Sequence, residues 1–195
     1  MLPAILVIFA VVVFRCAVGT ADDSVLRTLA NFSPMAGLAV CAGAAFPRKW
    51  ALAVPLAAQI FSDLGLYLLG KSPFFSWGYS IVLVVAYAAI VAIGWAVRKR
   101  PTPLKLLGAS ITGTLLFYFW TNSFSWWQDP GYAKTLSGWF QSLTTGLPGY
   151  PPTYVFLLKS LGGDLFFTSL FAFSLGLFPA ASKPTEDPKP EPAEA

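Results

Sequence analysis

The chain has 195 residues, of which 56% are hydrophobic and 11% are charged. Soluble domains usually carry about 25% charged residues, so this composition excludes an ordinary soluble protein and predicts an integral membrane protein of one domain. The net charge of +4 does not indicate nucleic-acid binding, because the basic residues stand in short clusters between apolar runs. The absence of histidine removes the usual proton shuttle and the commonest ligand of transition metals.

Apolar runs predict six membrane-spanning helices, because a helix needs about 20 apolar residues to cross a bilayer. In chain order the predicted spans are 2–18, 33–47, 50–70, 77–97, 104–122 and 153–178. We expect the first span to be a retained helix and not a cleaved signal peptide, since it lacks a basic start and is interrupted by Arg15. The predicted fold class is an all-α membrane bundle over residues 1–178.

Two segments outside the spans have their own character. The connection 123–152 is rich in Trp, Tyr, Gly and Pro, and its middle, "YAKTLSGWFQSL", has the apolar spacing of a short interfacial helix. The tail 179–195 is rich in Pro and Glu and is predicted to be disordered.

Within the second span, small residues predict close helix packing. These small residues are Gly37, Ala39, Gly43 and Ala44.

Basic residues cluster in two loops of the predicted bundle. The first cluster is Arg48 with Lys49, and the second is Arg98, Lys99, Arg100 and Lys105. Because Lys and Arg are enriched in cytoplasmic loops, both loops are predicted to face the cytoplasm, as are both termini, in a bacterial inner membrane. The connections 19–32, 71–76 and 123–152 then face outward.

Asp63 is the sharpest polar signal, since it lies inside the apolar run "LAAQIFSDLGLYLLG". A carboxylate at the centre of a membrane helix costs roughly 2.5–3.5 kcal/mol. Gln59 lies one turn deeper on the same helix face. Asp63 is either a polar residue that locks helices together or a carboxylate that binds or couples a ligand.

The last span carries Lys159, Ser160 and Asp164. Ser160 and Asp164 share a helix face, and Asp164 lies too deep to extend to the interface. Lys159 either snorkels to the outer interface or meets a carboxylate of another helix, for which Asp63 is the candidate.

Polar and aromatic residues also stand at the outer ends of two other spans. Asn122 ends the fifth span and is followed by Trp126 and Trp127, which either belong to an aromatic belt or cover a pocket. Asn31 precedes the second span, where it caps a helix or contributes to a pocket. Because these groups all fall in the predicted outer half of the bilayer, we expect an outward-opening ligand pocket. The predicted ligand-binding residues are Asn31, Asp63, Tyr67, Tyr118, Asn122, Trp126, Trp127, Lys159 and Asp164.

Short motifs carry a resemblance over roughly residues 30–176. They are Asn31-Phe32-Ser33-Pro34, Pro55-Leu56 with Ser62-Asp63, Thr121-Asn122 with Trp126, Tyr132 with Thr135 and Gly138, and Gly163-Asp164-Leu165. At these residues the chain resembles an uncharacterised bacterial family of six-helix membrane proteins. That family looks similar to the S components of energy-coupling-factor transporters, which bind vitamins.

The resemblance implies an S-component-like bundle that binds a vitamin-like molecule and works with a coupling membrane subunit and ATPases. Two departures stand out. Ala133 replaces the Pro that the family usually has, and the first span lacks the Ala-xxx-Ala pattern with which S components dock their coupling subunit. Ala39-xxx-Gly43 and Ala53-xxx-Ala57 are the candidate replacements for that pattern.

Three functions are compatible with these observations. The first is a substrate-capture subunit of a membrane importer, which would need partner ATPases because the chain lacks the phosphate-binding sequence G-x-x-x-x-G-K-[ST]. The second is a structural scaffold in the membrane, and the third is an intramembrane enzyme that uses Asp63 and Asp164 as acid and base. We expect transport, with no enzymatic activity, cofactor or metal. The expected partners are membrane lipid and a small molecule.

Overall fold

The computed structural model describes residues 2–21, 32–71 and 77–177, and within these ranges it contains helices and no strand. The helices are α1 (Leu2–Thr20), α2 (Met35–Ala45), α3 (Arg48–Ala51), α4 (Ala53–Leu68), α5 (Trp77–Ala96), α6 (Pro103–Gln128), α7 (Leu136–Leu143) and α8 (Thr153–Ser174). Each predicted span coincides with a helix or, for 50–70, with most of the pair α3 and α4. Asn31 and the predicted tail 179–195 lie outside the described residues.

Three helical stretches are long and apolar enough to cross a membrane, namely Arg48–Leu68, Gly78–Ala96 and Thr153–Ser174. Helices α1 and α2 are apolar but contribute shorter stretches, Ala4–Thr20 and Met35–Ala45. The long helix α6 has 26 residues and carries more polar side chains than the others. These lengths and compositions are those of a helical membrane protein.

Helix α2 is the core of the bundle and, with 11 residues, is shorter than the predicted span 33–47. Every residue from Met35 to Ala44 is buried, and α2 packs against α4, α5, α6 and α8. Its 11 residues rise about 16 Å, roughly half of the hydrocarbon thickness of a bilayer. An apolar run of small residues has no face that must meet lipid, so neighbouring helices can surround it completely.

Glycines allow α2 and α5 to cross with their backbones in contact. A Cβ atom added at Gly43 would lie 2.2 Å from the Val91 carbonyl oxygen, and one added at Gly94 would lie 2.1 Å from the Val40 carbonyl oxygen. The predicted close packing of the small residues is therefore confirmed. Because Gly43 is covered by α5, the Ala39-xxx-Gly43 pattern is not open for docking another subunit.

The contacts between helices fix their relative directions. Helices α1 and α4 run parallel, because Arg15 meets Asp63 and a Cβ at Gly19 would meet Leu66. Helices α6 and α8 run antiparallel, with Thr114 bonded to Asp164 and Ser110 bonded to Thr168. One end of the bundle, which we call the basic end, carries Arg48, Lys49, Arg98, Lys99, Arg100 and Lys105. We call the other end the opposite end.

Helix α6 continues to Gln128, beyond the predicted end at residue 122. Its polar residues bond to their own helix: Thr121 Oγ1 donates to the Phe117 carbonyl (2.8 Å), and Ser125 Oγ donates to the Thr121 carbonyl (3.0 Å). Such local hydrogen bonds satisfy hydroxyl groups without interrupting the helix. The drop in hydropathy after residue 122 therefore does not mark the end of this helix.

The turn after α6 leads into the predicted short helix, which is confirmed as α7. Asp129 Oδ1 accepts a hydrogen bond from the Gly131 amide (2.8 Å), and the Thr135 side chain caps α7 by accepting from the Gly138 amide (3.2 Å). Partial burial raises the pKa of Tyr132, and the neighbouring Asp129 carboxylate raises it further. Helix α7 then packs back against α6 and α8.

Candidate functional site

A charged and polar cluster joins α1, α4 and α5 towards the opposite end. Arg15 Nη2 donates to Asp63 Oδ1 (3.1 Å), and Gln59 Nε2 lies 2.8 and 2.7 Å from the two carboxylate oxygens of Asp63. The Tyr87 hydroxyl donates to Gln59 Oε1 (2.8 Å). We call Arg15, Gln59, Asp63 and Tyr87 the Arg15–Asp63 cluster. The predicted shared face of Gln59 and Asp63 is confirmed by their hydrogen bonds.

The two charged side chains of this cluster, Arg15 and Asp63, are only partly buried. The side chain of Arg15 is 22% exposed and that of Asp63 is 33% exposed. Within the described ranges, Arg15 Nε is buried and has no hydrogen-bond partner. The guanidinium group therefore keeps one buried donor, Nε, without a partner in the described part of the chain, next to a partly exposed carboxylate.

Both charges stand at similar depth, because Arg15 and Asp63 each precede the end of their helix by little more than one turn, a rise of about 7–8 Å. This geometry corrects the expectation that Asp63 pairs with Lys159. The main neighbours of α4 are α1 and α2, whereas α8, which carries Lys159, packs against α2 and α6. In the sequence Arg15 was interpreted only as an interruption of an apolar run, although a cation inside such a run is as unusual as a carboxylate.

A second polar cluster lies deeper, between α2, α6 and α8. Asp164 is 3% exposed. Its Oδ1 accepts from the Gly37 amide (2.9 Å) and its Oδ2 accepts from Thr114 Oγ1 (2.7 Å). Thr168 Oγ1 donates to Ser110 Oγ (2.9 Å) one turn along. We call Asp164, Gly37, Thr114, Ser110 and Thr168 the Asp164 cluster.

The Asp164 carboxylate caps the start of α2 from another helix. The residue before α2 is Pro34, which provides no side-chain cap. A carboxylate at this position satisfies a free backbone amide and faces the positive end of the helix dipole. Asp164 lies about 16 Å along α8 from its start, near the middle of the bundle. The prediction from the sequence had placed it in the outer half.

The remaining predicted residues are spread over the opposite end. Asn122 Nδ2 donates to the Tyr118 carbonyl (2.8 Å), and the Tyr118 hydroxyl donates to the Leu143 carbonyl (2.6 Å). Trp126 Nε1 donates to the Ala133 carbonyl (2.8 Å), and Trp127 is 69% exposed. These groups order α6, its turn and α7, and their hydrogen bonds do not lead to Asp63. Tyr67 follows Asp63 by one turn and is exposed, whereas Lys159 is partly buried on α8.

Several residues of the short motifs serve close backbone packing. A Cβ atom at Gly163 would lie 2.9 Å from the Ser33 amide nitrogen, and one at Gly138 would lie 2.0 Å from the Ala133 carbonyl oxygen. The Ser33 hydroxyl accepts a hydrogen bond from the Met35 amide (3.3 Å) at the start of α2. These positions hold the entry to α2 and the α6–α7 turn. In the described part of the chain no group of three or more His, Cys, Asp or Glu residues could hold a metal ion.

The fold and the two clusters define an all-helical membrane protein with a central buried helix and an accessible ion pair. A family profile described as "Family of unknown function (DUF6580)" matches residues 1–186. The chain therefore belongs to this family, in agreement with the resemblance to an uncharacterised family. Searches of curated proteins and of solved structures found no match.

Proposed function

We propose that this membrane protein captures a small polar molecule at the Arg15–Asp63 cluster, from the side of the membrane opposite the basic end. The observation that carries the proposal is an ion pair on two apolar helices whose charges remain 22% and 33% exposed. Charged side chains within membrane segments almost always face the interior of a bundle or a water-filled cavity. The exposed fraction of this pair therefore argues for contact with water and with solutes.

The contrast between the two acidic residues of the helices supports this assignment. Asp164 is 3% exposed, and both of its oxygens accept hydrogen bonds from the protein. Asp63 is more exposed, and its partner Arg15 keeps a buried Nε donor that no described residue accepts. A buried donor without a partner is costly.

The residues of the cluster favour a particular chemistry of the ligand. Arg15 and Asp63 offer charges of both signs, while Gln59 and the buried Tyr87 hold Asp63 in place through a chain of hydrogen bonds. The exposed aromatic ring of Tyr67 lies one turn from Asp63. Ligand sites combine apolar walls with a few placed polar groups. A planar, polar or zwitterionic molecule, such as a vitamin, fits this set.

The arrangement of basic residues supports the direction of capture. Lys and Arg are enriched on cytoplasmic ends of membrane proteins. In this proposal the protein lies in the inner membrane, with the basic end and both termini in the cytoplasm. The cluster then faces outward. In this proposal the protein is the capture subunit of an importer, similar to an S component, and a coupling membrane subunit and ATPases supply the energy.

A structural scaffold is the second candidate, and the Asp164 cluster favours it. This cluster is filled by the protein's own groups, and the crossing of Gly43 and Gly94 makes the core tight. An intramembrane enzyme using Asp63 and Asp164 has less support. The two carboxylates belong to different clusters, which share no hydrogen bond within the described ranges.

Thermal unfolding of the purified protein with a panel of vitamins, amino acids and planar heterocycles tests the proposal. A molecule that binds the native state raises the unfolding temperature. We expect at least one compound to raise the unfolding temperature of the wild type. The Asp63→Asn variant should lose this shift in unfolding temperature, while it still elutes as a folded protein in size-exclusion chromatography. Asp129→Asn, which neutralises an acid in the turn after α6, is the matched control and should keep the shift. A scaffold would respond to no compound, and an undiminished shift in Asp63→Asn would contradict the site.

A further inference from the structure

A groove at the basic end is separate from the Arg15–Asp63 cluster. It has a volume of about 380 Å³ and is lined by Arg48, Ala92, Trp95, Ala96, Arg98 and Lys99. We call it the basic groove. Its volume lies within the range of about 300–1,000 Å³ that is usual for small-molecule sites. Three of the lining side chains are cations, and no acidic residue of the described ranges contributes to the lining.

Arg48 is held in this groove by an aromatic ring. Its guanidinium carbon lies 3.9 Å from the centroid of the Trp95 ring, an arrangement that stabilises the cation and fixes its plane. Stacking leaves the edge of the guanidinium group free to donate hydrogen bonds in the fork that matches a phosphate. Arg48, Arg98 and Lys99 form no ion pair with any described residue.

The groove combines its charges with an apolar strip. Ala92 and Ala96 stand on the exposed side of the last turns of α5, where small side chains leave space beside Trp95. Arg98 and Lys99 follow one residue after α5, which ends at Ala96. A row of cations at the end of an apolar helix, with a tryptophan at the boundary, is where lipid headgroups meet a membrane protein.

We propose that the basic groove binds the headgroup of an anionic phospholipid. The lipid phosphate lies between Arg48, Arg98 and Lys99, and the start of an acyl chain runs along Ala92 and Ala96. Two features favour a lipid over a soluble anion. The groove includes the exposed apolar residues Ala92 and Ala96 of α5, and its cations stand at the end of this apolar helix.

Native mass spectrometry of the full chain in detergent, titrated with phosphatidylglycerol or phosphatidylcholine, tests this site. We expect the wild type to bind phosphatidylglycerol at least tenfold more tightly than phosphatidylcholine. Each cation near an anionic membrane surface contributes about 1 kcal/mol, so the double variant Arg98→Gln/Lys99→Gln should lose roughly 10- to 30-fold of that affinity. The matched control, Arg100→Gln/Lys105→Gln, removes the same charge at the same end outside the groove and should change the affinity less than threefold.

A second variant removes the space and keeps the charge. Ala96→Leu should also weaken binding of phosphatidylglycerol, while its unfolding temperature without lipid stays that of the wild type. Equal losses in the two double variants would show unspecific attraction and overturn the proposal. It would likewise be overturned by equal affinity for the two lipids, or by competition from inorganic phosphate at concentrations similar to those of the lipid.

Discussion

Asp63 and Asp164 show how one residue type takes two roles in membrane helices. Asp164 receives its hydrogen bonds from a helix start and a threonine, so it joins α2, α6 and α8. Asp63 receives hydrogen bonds from Gln59 and Arg15 and remains partly open. Surroundings, and not depth alone, therefore separate a structural carboxylate from a candidate binding one.

The cap on α2 gives a prediction at the scale of one residue. Asp164→Ala removes the acceptor of the Gly37 amide and one of the two acceptors near the Thr114 hydroxyl, the other being the Ser110 carbonyl. This loss should lower the free energy of unfolding by about 1–3 kcal/mol. Asp164→Asn keeps an oxygen for the Gly37 amide and should cost less than about half as much as Asp164→Ala. Denaturant or thermal unfolding in detergent measures both. Equal losses in the two variants would show that the charge, and not the cap, is what stabilises the bundle.

The sequence predicted part of the Arg15–Asp63 cluster and missed the rest for a physical reason. Asp63 and Gln59 share a helix, so their spacing of one turn is enough to place them on one face. Arg15 is 48 residues away from Asp63, and their contact depends on the parallel packing of α1 against α4. The helical periodicity of a single span does not indicate which other helix that span packs against.

Helix α2 shows the same limit at the scale of an element. Hydropathy predicted the positions of the helices well, because a long apolar run is the main requirement for a membrane helix. Hydropathy does not distinguish a helix surrounded by protein from one surrounded by lipid, since both are apolar on all sides. The small residues of α2 were the available signal, and their close packing was predicted where the burial of the whole helix was not.

The crossing of α2 and α5 gives the prediction for this scale. Gly94→Ala places a methyl group against the Val40 carbonyl and should destabilise the protein by about 1–3 kcal/mol or prevent its folding. Gly108→Ala is the matched control, because a Cβ there meets no atom within 4 Å. That control should be neutral or stabilising by up to about 1 kcal/mol. A tolerated Gly94→Ala change, measured by unfolding temperature and yield, would contradict the close crossing.

At the scale of the whole molecule, the basic end predicts how the protein is oriented in the membrane. Single cysteines at Thr145, between α7 and α8, and at Arg100, after α5, report on the two ends in a background with Cys16 and Cys41 replaced by alanine. A maleimide that does not cross membranes should label Thr145→Cys in intact cells and should label Arg100→Cys only after the cells are opened. Labelling of Arg100→Cys in intact cells would reverse the orientation, and with it the direction of capture.

The central claim is that the Arg15–Asp63 pair binds a ligand and does not merely hold α1 against α4. A charge left alone in a membrane segment is costly, so Asp63→Asn and Arg15→Gln can each lower stability by isolating the other charge. The double variant Arg15→Gln/Asp63→Asn removes both charges and should regain most of that stability.

The most direct measurement is therefore the affinity of this double variant for the compound that stabilises the wild type. Titration calorimetry or thermal shift measures it, with equal concentrations of folded wild type and variant. The account predicts that the double variant unfolds near the temperature of the wild type and loses at least tenfold in affinity for the compound. A stable double variant that binds the compound as tightly as the wild type would contradict the account.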